Sequence, residues 1–253
     1  MRSVEILGVR LDDVTLQETI DTLDGFIQSG QPHLIATTNT EFVMAAQRDL
    51  EYRRLLNSAD LSIPDGVGLI WGLRVLGKPI RKHVRGTDTV ERLMALAAQK
   101  GYSVFLLGAA EGVAAMAAER LKARHPGLKI AGTYAGSPDP RFDDAIVEMI
   151  RKAGPVDILL VAYGAPAQEK WIARNMSRMN VPVAIGVGGV FDFFSGRVKR
   201  APTLIRNLEL EWLYRLWQQP WRWRRQLALP RFALCVLRLK VGSIVAGKKV
   251  FTE

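Results

Sequence analysis

Residues 157–187 read DILLVAYGAPAQEKWIARNMSRMNVPVAIGV. From Ile158 to Ala162 no polar residue interrupts the run, so both faces of this strand are apolar, as in the centre of a parallel sheet covered on both sides. Pro166 suits the first turn of a helix running to Met179, and Val183 to Val187 forms a second buried strand. Outward from this unit the same alternation continues. Strands are expected at His33–Thr37, Leu61–Pro64, Tyr102–Leu107 and Lys129–Tyr134, and Met1–Leu11 reads as a short strand with interleaved charges. Between them, Thr15–Gln28 repeats Leu16, Ile20, Leu23 and Ile27 at helical spacing and stops near Gly30. Helices are likewise expected over Glu41–Leu56, Thr87–Lys100, the alanine-rich stretch to Arg124, and Phe142–Lys152. Strands alternating with helices predict an α/β fold: a Rossmann-like, mostly parallel sheet flanked by helices.

The chain has 253 residues, 48% hydrophobic and 24% charged, enough for one large α/β domain and an appendage. Its net charge of +10 is unevenly placed. From Gly196 onward there are 13 Lys and Arg against Glu209, Glu211 and Glu253, whereas the first 195 residues balance. Four of the six tryptophans, Trp212, Trp217, Trp221 and Trp223, also fall there. The boundary is therefore drawn at 195/196, with residues 196–253 as a basic, Trp/Arg-rich helical appendage. Between Arg206 and Arg225, Leu208, Trp212, Leu213 and Leu216 can share one helical face. A basic aromatic helix suits an anionic bilayer surface better than nucleic acid, which charge alone would also attract. The same side chains could instead dock the tail on the core or bury a contact between subunits of a homo-oligomer. The single Cys235 suits a reducing compartment. The N-terminus lacks the pattern of a signal peptide, and the longest apolar run, Phe232–Ala246, is broken by Arg238 and Lys240. A cytoplasmic protein without a spanning helix is expected.

Ligands of open α/β sheets bind beyond the carboxyl ends of the strands. Four ends stand out: Thr37-Thr38-Asn39, Pro64-Asp65-Gly66-Val67-Gly68, Tyr163 to Glu169, and Gly186 to Asp192. Asp65 follows a buried strand and precedes two nearby glycines, so its carboxylate could sit at a cleft mouth with raised basicity. The competing reading is a turn aspartate capping the next helix. Asp192 is a second carboxylate, better suited to a helix start. Gly108 to Gly112 and Gly186 to Gly189 could each admit a phosphate, or serve close packing. His33, His83 and His125 form no metal-ligand pair, and neither a nucleophile elbow nor a Walker loop is present. A dinucleotide oxidoreductase lacks its G-x-G-x-x-G fingerprint, and a nucleic-acid-binding protein with a basic arm is the other alternative.

These strand ends carry a resemblance. Asp65-Gly66-x-Gly68, Gly164-Ala165-Pro166-x-Gln168-Glu169, Gly186-Val187-Gly188 with Phe191-Asp192, and Arg200-Ala201-Pro202 followed by Leu210-Glu211-Trp212 resemble the WecG/TagA/CpsF glycosyltransferases of bacterial surface-polysaccharide and teichoic-acid synthesis, over nearly the whole chain. The resemblance implies inverting transfer, without metal or cofactor, from a UDP-sugar, often of the N-acetylmannosamine type, to a polyprenyl-diphosphate-linked acceptor. The enzyme would work peripherally at the inner face of the cell membrane. It implies Asp65 as catalytic base, and Thr37, Asn39 and Gln168 as residues orienting substrate; Gly108 and Gly188 are the phosphate candidates that the glycine-rich strand ends themselves supply. Arg215, Arg222 and Arg225 would face the acceptor diphosphate and the membrane. Where family members often carry arginine this chain has His83, so Arg85 is the candidate substitute; His83 itself would help only when protonated.

Overall fold

The computed structural model describes residues 1–245; the last eight residues of the expected appendage, beginning with Ala246 at the end of its apolar run, lie outside the described residues. Strands β1 (Ser3–Ile6) and β2 (Val9–Asp12) form an antiparallel hairpin. The expected single N-terminal strand is thus two, turning at Leu7 and Gly8, both with positive φ (51° and 78°). The hairpin is tied to the main sheet by Asp12, whose carboxylate accepts from the Ser62 amide at 2.8 Å.

The main sheet comprises β3 (His33–Thr38), β4 (Leu61–Pro64), β5 (Ser103–Gly108), β6 (Lys129–Tyr134), β7 (Ile158–Ala162) and β8 (Val183–Gly186) in the order β4-β3-β8-β7-β5-β6. Every pairing in it is parallel. β7 and β8 are fully buried, as their uninterrupted apolar sequence requires. One face is covered by α2 (Thr40–Ala46), α3 (Leu50–Ser58), α4 (Val67–Val75), α7 (Asp143–Lys152) and α8 (Ala167–Met179). The other is covered by α1 (Leu16–Ser29), α5 (Gly86–Lys100), α6 (Val113–Arg124) and α9 (Val190–Phe194). Helix α1 opens on a capping box between Thr15 and Glu18 and ends on Gly30 at φ 67°.

The helix expected over Glu41–Leu56 is two helices. Asp49 accepts from the Tyr52 amide at 2.9 Å and starts α3 afresh, an alternative partner that a short acidic side chain offers the backbone. The tail likewise does not form one amphipathic helix from Arg206 to Arg225. It folds as α10 (Thr203–Asn207), α11 (Glu211–Gln218), a short 3-10 turn, α12 (Trp223–Gln226) and α13 (Ala228–Val245). The breaks fall at Glu209, with φ 61°, and at Gln219, which precedes Pro220 and leaves the helical region at φ -129°, ψ 73°.

Helix α13 returns to the body of the protein: Phe232 and Val236 are buried among Phe42, Leu69 and Leu73. Gly72 of α4 makes room for this, since a Cβ there would lie 2.7 Å from the Phe232 ring and 3.0 Å from Ile6. Gly72→Val is therefore expected to cost about 1–3 kcal/mol through overpacking and to expose α13 to protease. Gly242→Val on α13, where a Cβ would meet no atom within 4 Å from the rest of the described residues outside its own helix backbone, should leave both the thermal midpoint and the protease pattern unchanged.

Candidate active site

The chain leaves β3 toward one face of the sheet, through α2, and leaves β8 toward the opposite face, through α9. Two neighbouring strands whose connections diverge leave a crevice at their carboxyl ends. It holds two adjoining chambers, an outer one of about 240 Å³ and an inner one of about 130 Å³. Asn39, Asp65, Arg215, Arg222 and Arg225 line both. Thr37, Gln168 and Gly188 line the inner chamber, and His83 and Arg85 the outer.

Asp65 sits where β4 ends, its amide bound to the Thr38 carbonyl at 2.7 Å. Its carboxylate accepts from the Gly86 amide at 3.2 Å, the first residue of α5. The capping alternative thus holds only in part, for the bond reaches a different helix from the one that follows Asp65; α4 starts at Val67, with Gly66 at its N-cap position and no side-chain cap. Burial pushes the Asp65 carboxyl up to about 6, with the Gly86 hydrogen bond opposing and the nearby Glu211 charge adding to the rise. A carboxylate with that affinity is still ionised at neutral pH and accepts a proton readily. Thr37 donates to the Gly186 carbonyl at 2.8 Å, joining β3 to the end of β8. Asn39 caps α2 through Oδ1, at 2.9 Å from the Glu41 amide.

The three tail arginines converge here from α11 to α12, although no local sequence relation links them to the strand ends. Arg215 donates to the Gly189 carbonyl at 3.1 Å and to Asp192 at 3.3 Å, and lies 4.5 Å from the Phe193 ring centroid. Arg225 makes a forked pair with Glu41 at 2.6 and 2.8 Å. Arg222 has no carboxylate partner among the described residues; its nearest acceptor is Gln219 at 3.5 Å, and its buried Nε has none. Burial and the two neighbouring guanidinium groups bring Arg222 down to about 10, so it remains charged at neutral pH. Arg215 and Arg225 thus face Asp192 and Glu41, and the Arg222 guanidinium is left in a setting that favours a bound anion.

His83 and Arg85 supply no such free charge. His83 faces Glu209 at 3.3 Å, and burial holds its pKa below the ordinary histidine value in spite of that carboxylate. Arg85 donates to Glu209 at 2.9 Å and to the Arg206 carbonyl at 2.8 Å, with Glu211 at 3.7 Å. Arg200 bridges Asp88 and Glu211. Arg85 lines the outer chamber, with its fork engaged in joining the start of α5 to the tail.

Gly108 lies apart from both chambers, at the end of β5, three places from β3 in the sheet. Its missing side chain serves packing, because a Cβ would stand 2.8 Å from the Ala162 backbone. Gln168 lines the inner chamber but is fully buried, and Oε1 accepts from both the Gly164 and Gly188 amides at 3.0 Å. Its amide thus holds two loops together, and Gly188 reaches the chamber on one of them. Sequence reasoning missed Glu41, Glu209 and Glu211. Glu209 and Glu211 carried a signal, being the only acids between Gly196 and Val245 in a strongly basic stretch.

A carboxylate of raised pKa at the junction of two chambers, beside an arginine without a carboxylate partner among the described residues, at the carboxyl ends of a parallel sheet, suits group transfer by an α/β enzyme. The chain belongs to the glycosyl transferase WecG/TagA/CpsF family, whose family model matches residues 4–244, and it is a glycosyltransferase. A Bacillus subtilis relative is 38% identical over 239 residues, covering 94% of this chain and 92% of its own. A Bacillus spizizenii relative is 37% identical, covering 86% and 84%. A Staphylococcus aureus relative is 31% identical, covering 94% and 93%. All three carry the name N-acetylglucosaminyldiphosphoundecaprenol N-acetyl-beta-D-mannosaminyltransferase.

Proposed function

We propose that this glycosyltransferase moves an N-acetylmannosamine-type sugar from a UDP donor to an N-acetylglucosamine carried on a polyprenyl diphosphate, with inversion at the anomeric carbon. The observation that carries this reading is the placement of Asp65 between the two chambers, with Arg222 facing both. Asp65 takes the proton from the attacking acceptor hydroxyl. The hydroxyl oxygen bonds to the anomeric carbon as the bond to UDP breaks, and the electron pair leaves on the diphosphate. Arg222, seated by Arg215 and Arg225, neutralises charge on diphosphate at the site. Thr37, Asn39 and Gly188 shape the inner chamber around the donor.

Residues 1–195 serve as the catalytic domain and the tail completes the site and meets the membrane. Support comes from the tail's surface: Trp217 is 76% exposed, Trp221 69% and Leu204 71%, beside Arg224 and Arg231. Indole rings with flanking arginines suit the headgroup zone. No helix among the described residues is long and apolar enough to cross a membrane, so this reading makes the enzyme peripheral at the inner leaflet, where a lipid-linked acceptor presents its sugar. Incubation with UDP-N-acetylmannosamine and a short-chain polyprenyl-diphosphate N-acetylglucosamine should yield a lipid-linked disaccharide detectable by mass. Absence of that product, with other UDP-sugars giving a disaccharide, would change the donor; absence with every donor would remove the reading. Replacing Trp217 and Trp221 by Ser together should weaken flotation with anionic vesicles several-fold and leave turnover of a water-soluble acceptor intact.

A further inference from the structure

We propose that Glu169 is a positioning residue for donor binding, acting through Gln168 on the loop from Gly186 to Val190; the proposal rests on the UDP-sugar reading above. Tyr52, Gln168 and Glu169 are all completely buried, next to the apolar cluster between α3, α8 and the sheet. A buried carboxylate is an expensive feature; Glu169 has no cation partner among the described residues and receives two hydrogen bonds, from Gln168 Nε2 at 2.6 Å and from the Tyr52 hydroxyl at 3.0 Å.

The consequence lies at the other end of the Gln168 amide. Oε1 accepts from the amides of Gly164 and Gly188, each at 3.0 Å. Were the amide turned over, its NH2 would face two N–H donors and both loops would lose their acceptor. The two ends of a glutamine amide have nearly the same shape, so packing alone does not choose between them; hydrogen bonding does. Burial pushes the Glu169 carboxyl up to about 7, with the Gln168 and Tyr52 hydrogen bonds opposing the rise; Oε1 accepts from Gln168 Nε2 in either protonation state, since a bound proton has its place on Oε2 beside the Tyr52 hydroxyl, so Glu169 fixes which end faces the loops. Gly186 permits the arrangement, since a Cβ there would lie 2.6 Å from Gln168 Nε2 and still closer to Glu169. The loop so held carries Gly188 and Gly189 into the inner chamber, and Gly189 in turn gives its carbonyl to Arg215. Glu169 therefore governs both the floor of the donor chamber and the seat of one of its arginines without touching substrate.

The test is titration with UDP, comparing variants that separate this role from core stability. Glu169→Leu alone would leave the Tyr52 hydroxyl without an acceptor, so Tyr52→Phe/Glu169→Leu is compared with Tyr52→Phe. Tyr52→Phe should bind UDP within twofold of wild type. The double variant should bind about tenfold more weakly, and adding Gln168→Ala to it should bring little further loss, since both act through one link. Glu169→Gln keeps an acceptor in place and should stay within threefold of wild type; this variant carries the test if the double one does not fold. Equal UDP affinity in Tyr52→Phe and the double variant, an additive further loss with Gln168→Ala, or a tenfold loss in Glu169→Gln would each overturn the proposal. Wild-type protein that does not bind UDP would instead count against the donor reading, a separate failure.

Discussion

Replacing Asp65 by Asn is expected to lower kcat/KM by about 100- to 10,000-fold, the range over which a positioned general base contributes, while the protein stays folded. The carboxylate is drawn up to about 6 chiefly by burial, and the direction of its effect on stability follows. Its folded value lies above its unfolded one, so between those two values the folded state binds more protons, and stability falls as pH rises through that window. Above about 6 the full penalty of a buried charge is present. Asparagine removes that charge and can still accept from the Gly86 amide through its carbonyl oxygen. At neutral pH the thermal midpoint of Asp65→Asn should therefore equal or exceed that of wild type, the trade-off expected where a strained group serves activity. Loss of activity together with a midpoint several degrees lower would mean that Asp65 is a structural cap.

Arg222→Ala carries the second large effect. Of the three tail arginines that line the chambers, Arg222 is the one without a carboxylate partner among the described residues, and its Nε is buried with no acceptor. In the absence of ligand its charge is a burden: burial and two adjacent guanidinium groups lower its pKa to about 10. Removing a donor aimed at developing charge costs about 100- to 1,000-fold in rate, so a loss of that order in kcat is expected, with no loss of thermal stability. Arg222→Lys should recover only part, because an ammonium lacks the planar fork that grips a diphosphate on two oxygens. Arg225→Ala behaves differently. It also frees Glu41 from its forked pair, leaving an uncompensated carboxylate beside the anion, so its activity loss should be reduced by Glu41→Gln in the same chain. Steady-state kinetics on the single and double variants checks this coupling.

Much of the architecture was legible because its signals are local. The apolar run Ile158–Ala162 and the strand Val183–Gly186 could only be buried strands, and the rule that ligands gather at carboxyl ends brought Thr37, Asn39 and Asp65 together before any coordinates did. What escaped notice depends on backbone choices or long-range partners. The hairpin of β1 and β2 turns through Leu7 at φ 51°, a conformation that leucine does not advertise. The break between α2 and α3 follows a helical pattern with no glycine or proline in it, and is set by a single capping carboxylate at Asp49. The distance of Gly108 from the two chambers was illegible because strand order is invisible in the sequence: only the sheet reveals that β7 and β8 separate β5 from β3. The pairing of Arg225 with Glu41 spans 184 positions, and no local pattern announces it. Glu169 stood within a recognised motif, yet its role emerges only once Tyr52 and the Gly188 amide are seen around it.

The most direct measurement is the pH dependence of kcat/KM for the acceptor, at saturating donor, in wild type and Asp65→Asn. Wild type should lose activity below an apparent pKa near 6, set by the carboxylate value of about 6, and the residual activity of Asp65→Asn should lack that acidic limb. A wild-type profile flat from pH 5 to 8, or an acidic limb that persists unchanged in the variant, would contradict Asp65 as the base.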